Sequence, residues 1–342
     1  MEIKLPKTQI DYVRLQKAKS LFAKGLRAKP IYHYTSIGGL QGILSSKKLR
    51  FANIKYMNDK DEIFAGLDSM AKSLNVNENE SEAMLSSFIS CGAQTFVCCF
   101  SLDADSLPMW NYYTKEINNQ GYNIEFDDKK LVESILRSNP LLDGCDIAFG
   151  NIDYSKDNNS EYSQAITSGI LSSVQIAVSK LFIAVIKGAN IKRSTDTESS
   201  IKDWETLISD SEKKQKLTNL PIYFFNGENC KFGKDVFGNY IFFVKRDHFI
   251  QEHEFRIVIT VPDELLPKLK ENGIYKFRVS NGVLIPYIEL AFSEDVVKSV
   301  TISPTVQSDL VELSIQDFMK YCNYDIQDFS EFINHSKVPV RF

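Results

Sequence analysis

The sequence predicts an α+β fold, and three observations carry that prediction. Short apolar, β-branched runs such as TFVCCFSL and EFRIVITV read as buried strands, while DDKKLVESILRS and QSDLVELSIQDFMKYC carry helical patterning. The last third of the chain then returns to a series of strands with helices set among them, so sheets built from non-sequential strands are covered by helices packed outside. With 342 residues and 43% hydrophobic content, the chain has enough apolar surface for one large domain or two modest ones.

Taken in order, residues 8–27 place Ile10, Val13, Leu15, Leu21, Phe22 and Leu26 among basic side chains at roughly helical spacing, which predicts an amphipathic helix within 1–29. A single domain over 30–342 follows. IYHYTS is its first strand, GGLQGILSSKK a helix and LRFANI a second strand, after which helical patterns cover 61–74 and 80–91 beyond the loop YMNDKDE. TFVCCFSL is a buried strand, LPMWNYYTKEINNQ a helix closed by Gly121, YNIEF a strand, DDKKLVESILRS a helix begun by an Asp cap, and IAFGNIDYS another strand. Residues 156–235 form a helical and polar insertion: ILSSVQIAVSKLFIAVIKG reads as a buried helix, and the polar stretch over 191–235 as loops around a short helix. Strands YIFFVKR, EFRIVITV, YKFRV, VLIPYIELAF and VKSVTISP close the chain, with helices DELLPKLKEN and QSDLVELSIQDFMKYC and a terminal VPVRF.

Composition excludes several classes. A formal net charge of -4 lacks the basic field of a dedicated duplex-DNA binder, although Lys17, Lys19, Lys24, Arg27 and Lys29 give the N-terminal helix a basic face. Cysteines at 91, 98, 99, 145, 230 and 322 form no CxxC pair and no zinc spacing, so no metal is predicted and the thiols read as reduced packing groups. Neither a signal peptide nor a membrane span is evident, which places the protein in the cytoplasm with no membrane partner. A glycine-rich GxGxxG turn after a strand is also missing, which argues against hydride transfer on a dinucleotide.

Three clusters combine polar groups with aromatic surface. The first is Tyr32, His33, Tyr34, Thr35 and Ser36 at a strand end, where a hydrogen-bonded structural histidine competes with a functional one. The second joins Ser101 to the helix containing Trp110, Tyr112 and Tyr113; Trp110 and Tyr113 share a face at i, i+3, as a core stripe or as a stacking wall for a flat ring. The third is Gln251 to Arg256, where strand alternation turns Glu252, Glu254 and Arg256 to one face. Because these precede the apolar run RIVITV, at least one carboxylate is expected to be partly enclosed and held by Arg256.

In order along the chain, HYT, FANIKYMNDKDE, CFSL followed after seven residues by WNYY, GYNIEFD and EHEFR resemble the bacterial family known as domain of unknown function 2971. The resemblance runs over 30–342 and implies an ADP-ribosyltransferase-like fold, with two small packed β-sheets gripping NAD between them. It also implies an activity: a mono-ADP-ribosyltransferase that uses NAD as substrate and modifies a protein or nucleic acid, as a toxin or antiphage effector. A toxin role would bring a neutralising antitoxin or a chaperone as partner.

On that resemblance Glu254 holds the ribose 2′-hydroxyl and stabilises the oxocarbenium-like sugar, and Glu252 orients or deprotonates the acceptor. Arg256 keeps both carboxylates ionised. His33 bonds the adenosine ribose, with Tyr34, Thr35 and Ser36 beside it, and Trp110 and Tyr113 wall the nicotinamide. Asn58, Asp59 and Glu62 form an NDxxE loop, of which Asn58 joins the NAD-binding set. Ser101, Tyr112 and Tyr113 all remain candidates for the middle residue of the triad. The same residues would serve an NAD glycohydrolase with water as acceptor, or a catalytically inactive binding module.

Overall fold

The computed structural model describes residues 29–57, 93–114, 120–152, 154, 222–226, 241–243, 245–280 and 282–339. The predicted N-terminal helix, the helical patterns over 61–74 and 80–91, most of the insertion and Asn58, Asp59 and Glu62 lie outside these residues.

Strand β1 (Pro30–Ser36) leads into helix α1 (Ile37–Ser46), which Ser36 caps by accepting a 3.2 Å hydrogen bond from the Gly39 amide. Strands β2 (Lys48–Asn53) and β3 (Ala93–Ser101) follow, then helix α2 (Leu107–Tyr113) and strand β4 (Gly121–Asp127). Asp127 supplies the predicted Asp cap of helix α3 (Asp128–Ser138), accepting from the Lys129 and Lys130 amides. Beyond it come β5 (Asp146–Asn151), β6 (Ile222–Asn226), β7 (Glu254–Pro262), α4 (Leu266–Glu271), β8 (Tyr275–Ser280), β9 (Val283–Ala291), β10 (Val297–Ile302), α5 (Val311–Tyr321), α6 (Phe329–Phe332) and β11 (Ile333–His335).

This is the mixed α+β arrangement that the sequence predicts, but the described strands are not divided into two small sheets. They form one eleven-stranded sheet, and β3 is the reason. On one edge β3 pairs with β7 along its whole length, from Ala93 opposite Pro262 to Ser101 opposite Glu254. Its other edge is shared: Val97 and Phe96 pair with β2, and Ser101 pairs with Tyr32 of β1. Strand β1 continues through β4 and β10 to β11, β2 through β9 to β8, and β7 through β5 to β6, so three arms are joined through the β3–β7 pair. Pairing is antiparallel except between β10 and β11.

Alternation along the strands divides the two faces. Ile31, Phe100, Ile124, Phe126, Phe255 and Ile257 lie in the main core, beneath Leu40 and Leu44 of α1, Leu131 and Ile135 of α3 and Ile315 and Met319 of α5. Fully burying side chains of this size stabilises by about 1.5–3 kcal/mol each, which fixes this face inward. The opposite face carries a separate apolar cluster, Tyr32 and Tyr34 with Met109 and Trp110 of α2.

Some expected elements differ. YIFFVKR is not a strand: Ile241–Phe243 is a 3₁₀ turn, and a second 3₁₀ helix, Asp247–Glu252, precedes β7. Gly121 opens β4 rather than closing a helix, its amide donating to Ser303 Oγ at 3.0 Å. β6 lies inside the stretch read as polar loops, and β11 was not expected at all. Of the terminal VPVRF, Val338 and Pro339 are outside any strand and the remainder lies beyond the described residues.

Candidate functional site

The start of β7 carries a buried cluster of four charges. Glu254 and Arg256, two positions apart, share a face, and the guanidinium grips the carboxylate twice: Nε to Oε1 at 2.7 Å and Nη2 to Oε2 at 2.9 Å. Arg256 Nη1 donates to the Phe242 carbonyl at 2.9 Å. Lys245 Nζ reaches both carboxylates, donating to Glu252 Oε2 at 2.8 Å and to Glu254 Oε2 at 3.2 Å, and its ammonium also stands over the Phe249 ring. All four residues are buried, with Glu254 only 3% and Arg256 only 1% exposed.

Burial by itself would raise the Glu254 carboxyl; Arg256 and Lys245 overcome it and hold the group down at about 2, so Glu254 stays anionic throughout the neutral range. The expectation that Arg256 would hold an enclosed carboxylate is met. Glu252 reaches the cluster by another route than strand alternation. It ends the 3₁₀ helix, and His253 then takes a left-handed backbone conformation (φ 39°, ψ 54°) before β7 begins at Glu254. That reversal, and not a period of two, lets both carboxylates converge on Lys245.

Strand β3 supplies the next residues. Ser101, opposite Glu254, donates from Oγ to the Glu252 carbonyl at 2.8 Å and accepts from the Asp103 amide at 3.1 Å. It orders the turn around Glu252 and is fully buried. Cys99, opposite Arg256, hydrogen-bonds Glu254, and burial followed by the Glu254 charge pushes its thiol well up, so it is a neutral donor and not a thiolate. Tyr154 accepts the Glu254 amide at its hydroxyl, 2.8 Å away. Tyr113 sits where its hydroxyl is pushed up by burial and then by Glu252 and Glu254, while the residue as a whole is 43% exposed.

The remaining expected residues go elsewhere. Trp110 is 2% exposed, donates Nε1 to Asp105 Oδ1 at 2.8 Å and meets Tyr34 edge-on at 4.6 Å, so it is core and offers no open wall. The Tyr34 hydroxyl donates to the Asp103 carbonyl and accepts the Ser106 amide, and burial first of all pushes it up to about 12. Ser36 is used as a helix cap, and Thr35 packs against Gly39, whose added Cβ would fall 1.9 Å from the threonine hydroxyl. Tyr112 is 56% exposed.

His33 lies across the sheet from the carboxylates. It pairs with Ile124, its ring meets Phe100 edge-on at 5.5 Å, and Nδ1 donates to the Cys99 carbonyl at 3.1 Å, near where β1 parts from β3. Burial lowers its pKa, offset in part by the Cys99 carbonyl. The structure therefore unites Glu252, Glu254, Arg256, Ser101 and Tyr113, and leaves His33 on the other face. Lys245, Cys99 and Tyr154 were missed; only the basic end of YIFFVKR, a few residues before two glutamates, offered a signal.

These groups lie largely within one recognisable segment. Residues 109–257 match the family model of DUF2971, described as a protein of unknown function. The DUF2971 match is narrower than the resemblance over 30–342, yet it includes Tyr113, Lys245, Glu252, Glu254 and Arg256; Cys99 and Ser101 fall outside it. No curated protein and no solved structure matches the chain. Among the described residues, no group of three or more His, Cys, Asp and Glu is placed to hold a metal ion, and no helix is long and apolar enough to cross a membrane.

Proposed function

We propose that the chain is a mono-ADP-ribosyltransferase that cleaves NAD and passes ADP-ribose to a protein or nucleic acid, with Glu254 as its central carboxylate. One observation carries the reading: a buried Glu254 held anionic at about 2, next to a second carboxylate on the same ammonium. Breaking the nicotinamide–ribose bond builds positive charge on the sugar, and a fixed anion in a water-poor setting is suited to stabilising it. Tyr113 offers an aromatic ring beside the two carboxylates for the flat nicotinamide. The motif resemblance supports the same chemistry and suggests a bacterial toxin or antiphage effector, to which an antitoxin or chaperone would bind.

Burial favours a second reading. Both Glu254 oxygens are already satisfied by Arg256 and Lys245, an arrangement that also suits a binding module without turnover. For transfer, Lys245 must release Glu254 when the ribose arrives.

Incubating the purified chain with NAD labelled on the adenylate, with and without cell lysate or RNA, separates the readings. Label moving onto protein or RNA, with Glu254→Gln slower by about 10²–10³-fold, is the expected result. Loss of NAD without a labelled macromolecule indicates glycohydrolysis with water as acceptor. NAD left intact in every condition sinks the enzyme and leaves the binding module.

A further inference from the structure

Glu254 cannot take up a proton near neutral pH, and Glu252 is sealed behind Lys245. NAD cleavage with transfer nevertheless needs a base on the acceptor side, and His253, which lies between the two glutamates in the chain, has 52% of its side chain exposed. Its Nδ1 is 2.9 Å from Asp103 Oδ2. A carboxylate only accepts, so Nδ1 carries a proton, and in the neutral ring Nε2 carries the lone pair.

The pair is fastened to the cluster. The Asp103 amide donates to Ser101 Oγ, Ser101 Oγ donates to the Glu252 carbonyl, the Tyr34 hydroxyl donates to the Asp103 carbonyl, and the Leu102 amide donates to the His253 carbonyl at 2.8 Å. His253 also holds a left-handed backbone conformation that few residues other than glycine adopt readily, and such conformations collect at functional sites.

The geometry points to His253, oriented by Asp103, as the general base that activates the acceptor, an alcohol, amine or water. This rests on the NAD-cleaving reading above. In the step, the acceptor heteroatom bonds to C1 of the ribose as the bond from C1 to the nicotinamide nitrogen breaks. Nicotinamide leaves neutral with the bonding electron pair, and the acceptor proton passes to His253 Nε2. Asp103 is a positioning residue that keeps Nε2 turned to that task.

The test follows nicotinamide release from NAD by the full chain and its His253→Gly and Asp103→Asn variants, with water alone as acceptor and again with cell lysate or RNA present. Glycine suits the left-handed backbone and leaves room for a free imidazole molecule. The expected result is a loss in kcat of about a hundredfold for His253→Gly with KM little changed, a smaller loss for Asp103→Asn, and recovery of the glycine variant by added imidazole. Full activity of His253→Gly, or a loss that imidazole does not restore, overturns the assignment while leaving NAD cleavage standing. Failure of the unsubstituted chain to release nicotinamide both with water alone and with cell lysate or RNA present removes the NAD-cleaving reading and this base with it.

Discussion

Arg256 holds Glu254 from two residues along the same strand, its Nε and Nη2 paired with the two carboxylate oxygens at 2.7 and 2.9 Å while its third nitrogen binds the Phe242 carbonyl. Both charges are buried. Removing one partner of such a buried pair leaves the other uncompensated, so Arg256→Met is expected to destabilise the fold by about 3–5 kcal/mol. Lysine cannot reproduce the planar fork, and Arg256→Lys should recover only part of that loss. Combining Arg256→Met with Glu254→Gln should be milder than Arg256→Met alone. Urea unfolding of the set measures this, and equal losses for single and double variants would refute the pairing.

The same carboxylate writes a signature into acid stability. Its folded value of about 2 lies below the ordinary 4.5, so its contribution is complete above about pH 4.5 and is lost as pH falls towards 2. His33 is lowered from 6.5 by burial, against the pull of the Cys99 carbonyl; its contribution is complete above about pH 6.5 and declines as the pH falls below that value. Glu254→Gln should flatten the lower window and His33→Gln, which keeps an N–H donor, the upper one. Denaturation midpoints across pH 2–8 in the three proteins give the comparison, and unchanged slopes in both variants would count against these environments.

What could be read from the sequence follows from what is local. Apolar runs such as TFVCCFSL and EFRIVITV needed no partner to declare themselves buried strands, and Arg256 beside an enclosed carboxylate followed from a spacing of two. The convergence of Glu252 was expected for the wrong reason, because nothing in EHEF announces the left-handed turn at His253. Lys245 was hidden at the end of an aromatic run that resembles a strand. That His33 and Glu254 occupy opposite faces depends on Tyr32 pairing with Ser101 and Ser101 with Glu254, a register set by tertiary structure.

Lys245 is the piece that joins Glu252 to Glu254. Replacing it with methionine keeps much of the stem's volume, but removes the ammonium over Phe249 and leaves two carboxylates facing each other without the shared cation. A loss of about 3 kcal/mol or more is expected. Adding Glu252→Gln should return part of it, with a coupling energy above about 0.5 kcal/mol in a double-mutant cycle. Strict additivity of the two substitutions would mean that the bridge contributes nothing.

Tyr34 stabilises the loop that carries Asp103. Its hydroxyl both donates to the Asp103 carbonyl at 2.9 Å and accepts the Ser106 amide at 3.0 Å, while its ring rests against Trp110. Tyr34→Phe keeps the ring contact and removes only the oxygen, which leaves a backbone donor and acceptor without their partner. The expected cost is about 1–3 kcal/mol, and hydrogen exchange at the Ser106 amide should quicken more than at amides in β7. Because the Asp103 carboxylate orients His253, the substitution should also loosen that pair and change the His253 ring resonances in nuclear magnetic resonance spectra. A loss below about 0.5 kcal/mol with the Ser106 amide still protected would mean that the loop is held by the Trp110 and Ser336 bonds to Asp105, and not by the tyrosine.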